Sequence, residues 1–361
     1  MEPIVHFSSG QDLEFKKVLN KRVDDYFSRT GLSRHYTPAM LWKTVAMLSL
    51  FFIPFGLVLT NLFPFWLNMV FYLVMGLGVA GIGMSVMHDG NHFSYSGNQR
   101  TNRLMGLTMN LIGADAYNWK IKHNKLHHVF TNIYGKDEDI NSRAVLRFAY
   151  GAPLKKYHRF QHIYAWFLYA LMSLTMVLGD IPKRYNYRRR GLTNIPPALF
   201  RRSLVWLAVS KFFYFGAILL LPWLITDLSW WQVLLGFLLM HLVTGTILSL
   251  VFQMAHVVEV AEQAKPDANG QVHHSLIMHQ LLSTADFSRQ NKLLSWYVGG
   301  LNYQVIHHLF PRVCHVHYPA LSGIVEATTK EFGLPYHTFD SFFAAFLSHY
   351  RTLKSLGRVK I

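Results

Sequence analysis

Residues 44–87 contain no Asp, Glu, Lys or Arg. A helix needs about 20 apolar residues to cross a bilayer. The run therefore reads as two spans, turned near Asn61 and Pro64. Residues 204–226, interrupted only by Lys211, and residues 228–258 make a second pair, turned at Asp227. Trp223, Trp230 and Trp231 surround that turn, as in an aromatic belt at the water boundary. Only 15% of the 361 residues are charged, against roughly 25% in an ordinary soluble domain. Disorder, coiled coil and collagen are excluded on the same composition.

The charge that is present is lopsided. Lys and Arg number 35 against 19 Asp and Glu, a net charge of +16. Neither turn carries a basic residue. The excess thus marks a cytoplasmic face against anionic headgroups, not a nucleic-acid site. Residues 163–179 are uncharged but barely long enough to span, and crossing would move everything after residue 258 to the opposite face. They read as a helix lying in the interface, or dipping in without crossing. Cys314 is the only cysteine, so no intrachain disulfide is expected, and no secretory h-region opens the chain. The expected organisation is one membrane domain over 1–361. It comprises a peripheral segment 1–40, a first hairpin 44–87 and a first cap portion 88–202. A second hairpin 204–258 and a second cap portion 259–361 follow. The fold class is all-α, with four transmembrane helices and a cytoplasmic helical cap.

Twenty histidines are the second constraint. His88 and His92 follow the second span at i,i+4; His123 and His127 repeat that spacing with His128 beside them; Gln304, His307 and His308 stand at i, i+3 and i+4. Such pairs share a helix face, and imidazole is a common ligand of redox-active metals. One box is a weak signal, but three beside apolar segments make chance a poor explanation. His256 lies about 38 Å along the helix from Trp231 at 1.5 Å per residue, past a hydrocarbon core of about 30 Å, so it emerges with the boxes. Eight imidazoles and Gln304 are too many for one ion and suit two.

The boxes, with two membrane hairpins, resemble the membrane fatty acid desaturases. Gln304 in the last box, within Gly299-Gly300-Leu301-Asn302-Tyr303-Gln304 and on to His308-Leu309-Phe310-Pro311, resembles the front-end subgroup, which desaturates between an existing double bond and the carboxyl end. The resemblance implies an O2-dependent acyl desaturase with two non-haem irons, or zinc if mis-metallated. Four electrons reduce O2 to two waters, two from the substrate and two from a donor. His88, His92, His123, His127, His128, His256, His307 and His308 are then the metal ligands. Gln304 is a weak ligand or hydrogen-bonding catalytic group. The fused haem domain of many eukaryotic front-end enzymes, with its His-Pro-Gly-Gly motif, is not found in residues 1–40. A separate donor such as ferredoxin or a cytochrome is therefore expected, in a bacterial inner membrane. The acyl carrier is open: coenzyme A, acyl carrier protein or a membrane lipid.

Asp137 and Asp139 are candidates to orient ligand N–H groups, while Glu138 reads as a solvated acid. Trp119 and Asn118 are candidates to line an acyl tunnel, or equally an interfacial anchor and a turn residue. His241, near mid-bilayer, reads as a neutral histidine bonded to a neighbouring helix. His273, His274, His279, His315 and His317 read as surface or supporting residues. A di-iron hydroxylase or ketolase acting on a lipid, and a non-catalytic membrane haem or zinc protein, remain as rivals.

Overall fold

A computed structural model describes residues 5–8, 12–35, 38–141 and 145–360. Four of its helices are long and apolar enough to cross a membrane: Pro38–Leu59, Phe65–His92, Pro197–Ile225 and Trp230–His256. They fall where the uncharged runs required spans. The chain divides into two compact units, one of residues 38–121 and 167–249, the other of residues 1–37, 122–166 and 250–361.

The first unit contains the membrane hairpins. Its two turns are tied reciprocally: Asn61 Nδ2 donates to Asp227 Oδ2 at 2.8 Å, and the Asp227 amide donates to Asn61 Oδ1 at 2.9 Å. From these turns Phe65–His92 and Trp230–His256 run side by side in the same direction. Two glycines permit the approach. A Cβ on Gly236 would collide with the Tyr72 ring, and one on Gly76 would lie 2.6 Å from the Met240 carbonyl oxygen. Phe212 and Phe213, 71% and 68% exposed, give Pro197–Ile225 the surface of a lipid-facing helix.

A polar core lies inside this apolar shell. Lys211 Nζ donates to the carbonyls of Gly113 and Val177 and to Asp180 Oδ2, at 2.5–2.6 Å. Arg184 donates to Asp115 Oδ1 (2.5 Å) and Asn118 Oδ1 (2.7 Å), and Asn118 Nδ2 donates to Asp180. His241 has a partner on each nitrogen, Ser173 Oγ at 2.5 Å and Tyr214 OH at 2.7 Å.

The segment over 163–179, expected to lie in the interface or to dip in without crossing, is not one straight helix. It lies in two helices, Gln161–Ala170 and Met172–Arg189, with a 69° bend between them. The bend has a local cause: Ser249 Oγ donates to the Tyr169 carbonyl at 3.2 Å, and Gly245 sits against the Ala170 carbonyl. A side chain taking a helix carbonyl is a recognised source of kinks.

The second unit begins with helix Leu13–Thr30, whose Phe15, Leu19, Val23 and Phe27 recur every four residues. That stripe is buried with Tyr303, Val305, Ile306, Tyr318, Leu321 and Val325. Burying such side chains contributes about 1.5–3 kcal/mol each, so the N-terminal helix is part of this core. Two parallel strand pairs of two residues each, His6–Phe7 with Gln271–Val272 and Asp286–Phe287 with Thr338–Phe339, are the only strands among the described residues. The second pair positions Asp286, whose Oδ1 accepts from the Val305 amide at 2.9 Å and so holds the start of helix Gln304–Leu309.

Candidate metal centre

The second histidine box does not lie on an ordinary α-helix. Residues Ile121–His127 form a π-helix, whose i→i+5 hydrogen bonds occur frequently at functional sites. Wider turns bring positions i+4 and i+5 to either side of i, so His127 and His128 both flank His123. The ring centroids of His127 and His128 lie 5.3 and 4.6 Å from that of His123.

Within the second unit these rings meet the third box in two groups. In the first, His127, His256 and His308 each bring one nitrogen to within 4.8 Å of the others. The opposite nitrogen of each ring faces an oxygen acceptor: Asp137 Oδ2 at 3.0 Å from His127 Nδ1, Gln280 Oε1 at 2.6 Å from His308 Nδ1, and the Ser283 carbonyl at 3.4 Å from His256 Nδ1. Those Nδ1 atoms therefore donate, and each Nε2 turns a lone pair toward its neighbours. Gln304 Nε2 stands 2.9 Å from His256 Nε2 and 3.4 Å from His308 Nε2. His127 Nε2 is buried with no hydrogen-bond partner among the described residues.

The second group centres on His128, whose Nε2 is 3.1 Å from His123 Nε2 and 3.0 Å from His307 Nε2. Tyr318 OH lies 3.2 Å from His307 Nδ1. Convergent lone pairs in a desolvated site are unfavourable by themselves and suit a cation that accepts them all. This donor set fits two nitrogen-ligated metal ions.

The surroundings support the rings. Burial disfavours a charged His127, but the carboxylates of Asp137 and Asp139 outweigh it and raise its pKa. Asp139 is also paired with Lys122. Asn132, held at positive φ (57°), receives the loop by donating to the carbonyls of His256, Glu262 and Ser283, while its own amide donates to Asp137. Gln280 is the partner that sequence reading missed: besides His308 it engages Thr131 Oγ1 and the His128 carbonyl. No local spacing links it to a box. His279 is buried and burial lowers its pKa to about 4.

In the membrane unit, His88 and His92 lie on helix Met87–His92 with centroids 4.7 Å apart, and the Trp119 ring stands edge-on 5.6 Å from each. Asn118 has both ends of its amide engaged by Arg184 and Asp180, as a residue of the polar core.

A helical membrane protein that gathers imidazoles in this way is defined by fold and site as a membrane oxidoreductase of the histidine-box class. The family model for fatty acid desaturases matches residues 64–340, and the chain belongs to the fatty acid desaturase family. It is 34% identical to an sn-1 linoleoyl-lipid 6-desaturase of Arthrospira platensis over 96% of this chain and 94% of the relative. A Synechocystis protein of the same name is also 34% identical, over 95% and 96%. An acyl-lipid (8-3)-desaturase of Physcomitrium patens is 32% identical over 98% of this chain and 74% of its own length. The chain is thus a membrane fatty acid desaturase, an enzyme of lipid metabolism.

Proposed function

We propose that the protein is a front-end acyl-lipid desaturase that adds a cis double bond at carbon 6 of a linoleoyl chain on a membrane glycerolipid. The observation that carries this reading is the double nitrogen focus, with Gln304 at its edge. The regiochemistry follows the printed names of the two 34%-identical relatives, whose whole length this chain nearly covers. Iron is the metal assigned to the site, held by His123, His127, His128, His256, His307 and His308. His88 and His92 complete the set from the end of the second span. Support for including them is the spacing of His88 and His92, which repeats that of His123 and His127.

Two bound irons would supply the reduction of O2 and the removal of two hydrogens from adjacent methylenes. The protein's own part is positional. Asp137 and Gln280 fix the rings of His127 and His308 with Nε2 inward. Tyr318 steadies His307, and Gln304 offers an amide that binds weakly or donates a hydrogen bond. Trp119, only 8% exposed beside His88 and His92, shields that pair from water. The active site faces the cytoplasm of a bacterial inner membrane, and a separate ferredoxin or cytochrome supplies two electrons.

Expression in a host rich in linoleoyl lipids tests this directly. A new double bond at carbon 6, located by mass spectrometry, is the expected product. A hydroxylated or oxidised chain would instead favour the hydroxylase reading.

A further inference from the structure

The stretch between helices Met172–Arg189 and Pro197–Phe215 has no role in the metal centre, and its chemistry is one-sided. From residue 181 to residue 226 there is no Asp or Glu, yet Lys183, Arg184, Arg188, Arg189, Arg190, Arg201 and Arg202 fall there. Arg184 is consumed by the polar core. Arg188 is different: its guanidinium stacks 4.2 Å over the Phe200 ring, while its Nη1 is buried with no hydrogen-bond partner among the described residues. Thr193, in the connecting turn, is 7% exposed, and its hydroxyl also has no partner there. Buried donors left unpaired are destabilising, and no carboxylate of the segment can supply the missing acceptor.

We propose that this turn is a binding site for the phosphate of an anionic glycerolipid headgroup. A phosphate provides acceptor oxygens in the geometry that an arginine fork matches. The turn immediately precedes a membrane span, Pro197–Ile225, so the site lies at headgroup depth. The first turn of that helix adds the favourable end of its dipole. Arg189, Arg201 and Arg202, exposed around the turn, supply long-range attraction. Phe200, held between Arg188 and the Tyr185 ring at 5.6 Å, fixes the guanidinium in place. The site is independent of turnover, since binding is read on the protein whatever reaction it catalyses.

The test is native mass spectrometry of the full chain, delipidated in neutral detergent and titrated with phosphatidylglycerol or with diacylglycerol, which lacks the phosphate. Wild type is expected to prefer phosphatidylglycerol by about tenfold. The double variant Arg188→Gln with Thr193→Val should lose that preference, whereas Lys16→Gln with Lys17→Gln, on the N-terminal helix, should keep it. Equal losses in both variants, or no preference in wild type, would mean diffuse charge attraction and overturn the site. Displacement of the lipid by millimolar inorganic phosphate would overturn the lipid assignment in favour of a free-phosphate site. Should the double variant fail to fold, Thr193→Val alone and Arg188→Lys, which keeps the charge over Phe200 but loses the fork, are each expected to weaken the preference.

Discussion

The polar core around His241 and the cluster around His127 both bury histidine, and they treat it in opposite ways. In the membrane unit, His241 has Ser173 on one nitrogen and Tyr214 on the other. Beside it Lys211 finds three acceptors and Asn118 uses both ends of its amide. In the other unit, His127 satisfies one nitrogen with Asp137 and leaves the other buried and unmatched among the described residues. Its neighbours turn nitrogens toward nitrogens. A closed network stabilises a fold, because every desolvated group recovers its hydrogen bond. An open one is tolerated where something from outside completes it. Burial alone therefore does not mark the functional histidines; the convergence of several ring nitrogens on one point does.

The sharpest way to break this contrast is to remove a ring from each region. His127→Ala or His308→Ala should lower desaturation at least about a thousandfold, as loss of a metal ligand does when binding and chemistry act as a unit. Bound metal should fall with it while membrane insertion persists. His241→Gln should retain activity. Comparable loss in both regions would erase the distinction.

The next effect falls on stability. Asp180→Ala leaves Lys211 buried without its carboxylate, and breaking a buried pair costs about 3–5 kcal/mol. Thermal unfolding in detergent should register that loss. The double change Asp180→Leu with Lys211→Met, which removes both charges, should recover much of it. A double variant no better than Asp180→Ala would show that the pair has a role beyond offsetting its own burial.

How far this could be read from residues alone depends on the distance over which each signal acts. Lack of charge is a local signal, and it located both hairpins. Box spacing is also local, and it singled out His123, His127, His307 and His308. The partners that orient the rings were beyond reach. Gln280 meets His308, Asp286 meets Val305, and Ser249 meets Tyr169 across the chain, so no periodicity connects them. The π-helix of box two has the same composition an α-helix would have, and only packing distinguishes them. The bend after Ala170 escaped notice for a related reason: the residues that cause it, Gly245 and Ser249, belong to another helix.

Asp137 tests whether an orienting partner belongs with the open region or the closed one. Asp137→Asn keeps shape and an acceptor but removes the charge that fixes the His127 tautomer. Outer partners of metal-bound histidine are worth about 10–100-fold in metal affinity. That range is expected on titrating iron(II) or zinc into metal-free protein, with little change in melting temperature. A shift in melting temperature without change in affinity would place Asp137 among the structural residues.

The smallest effect belongs to Asp286, which couples the third box to pH. Burial pushes its pKa up to about 7, against the opposing pull of the Tyr336 hydroxyl, the Val305 amide and Arg289. The folded state thus holds a proton that the unfolded chain, with an ordinary carboxylate, releases near pH 4. Its stabilising contribution is complete below that value and is lost as pH rises through 7. Between pH 6 and 8 the loss amounts to about 1.4 kcal/mol. In melting curves, as pH rises across that interval, wild type should lose about 1.4 kcal/mol relative to Asp286→Asn, since asparagine has no proton to release, and titrating histidines common to both chains cancel in the difference. Parallel curves would mean that Asp286 is ionised in the fold throughout, and that the strand pair holding it admits enough water to keep a carboxylate charged at the start of the Gln304–Leu309 helix.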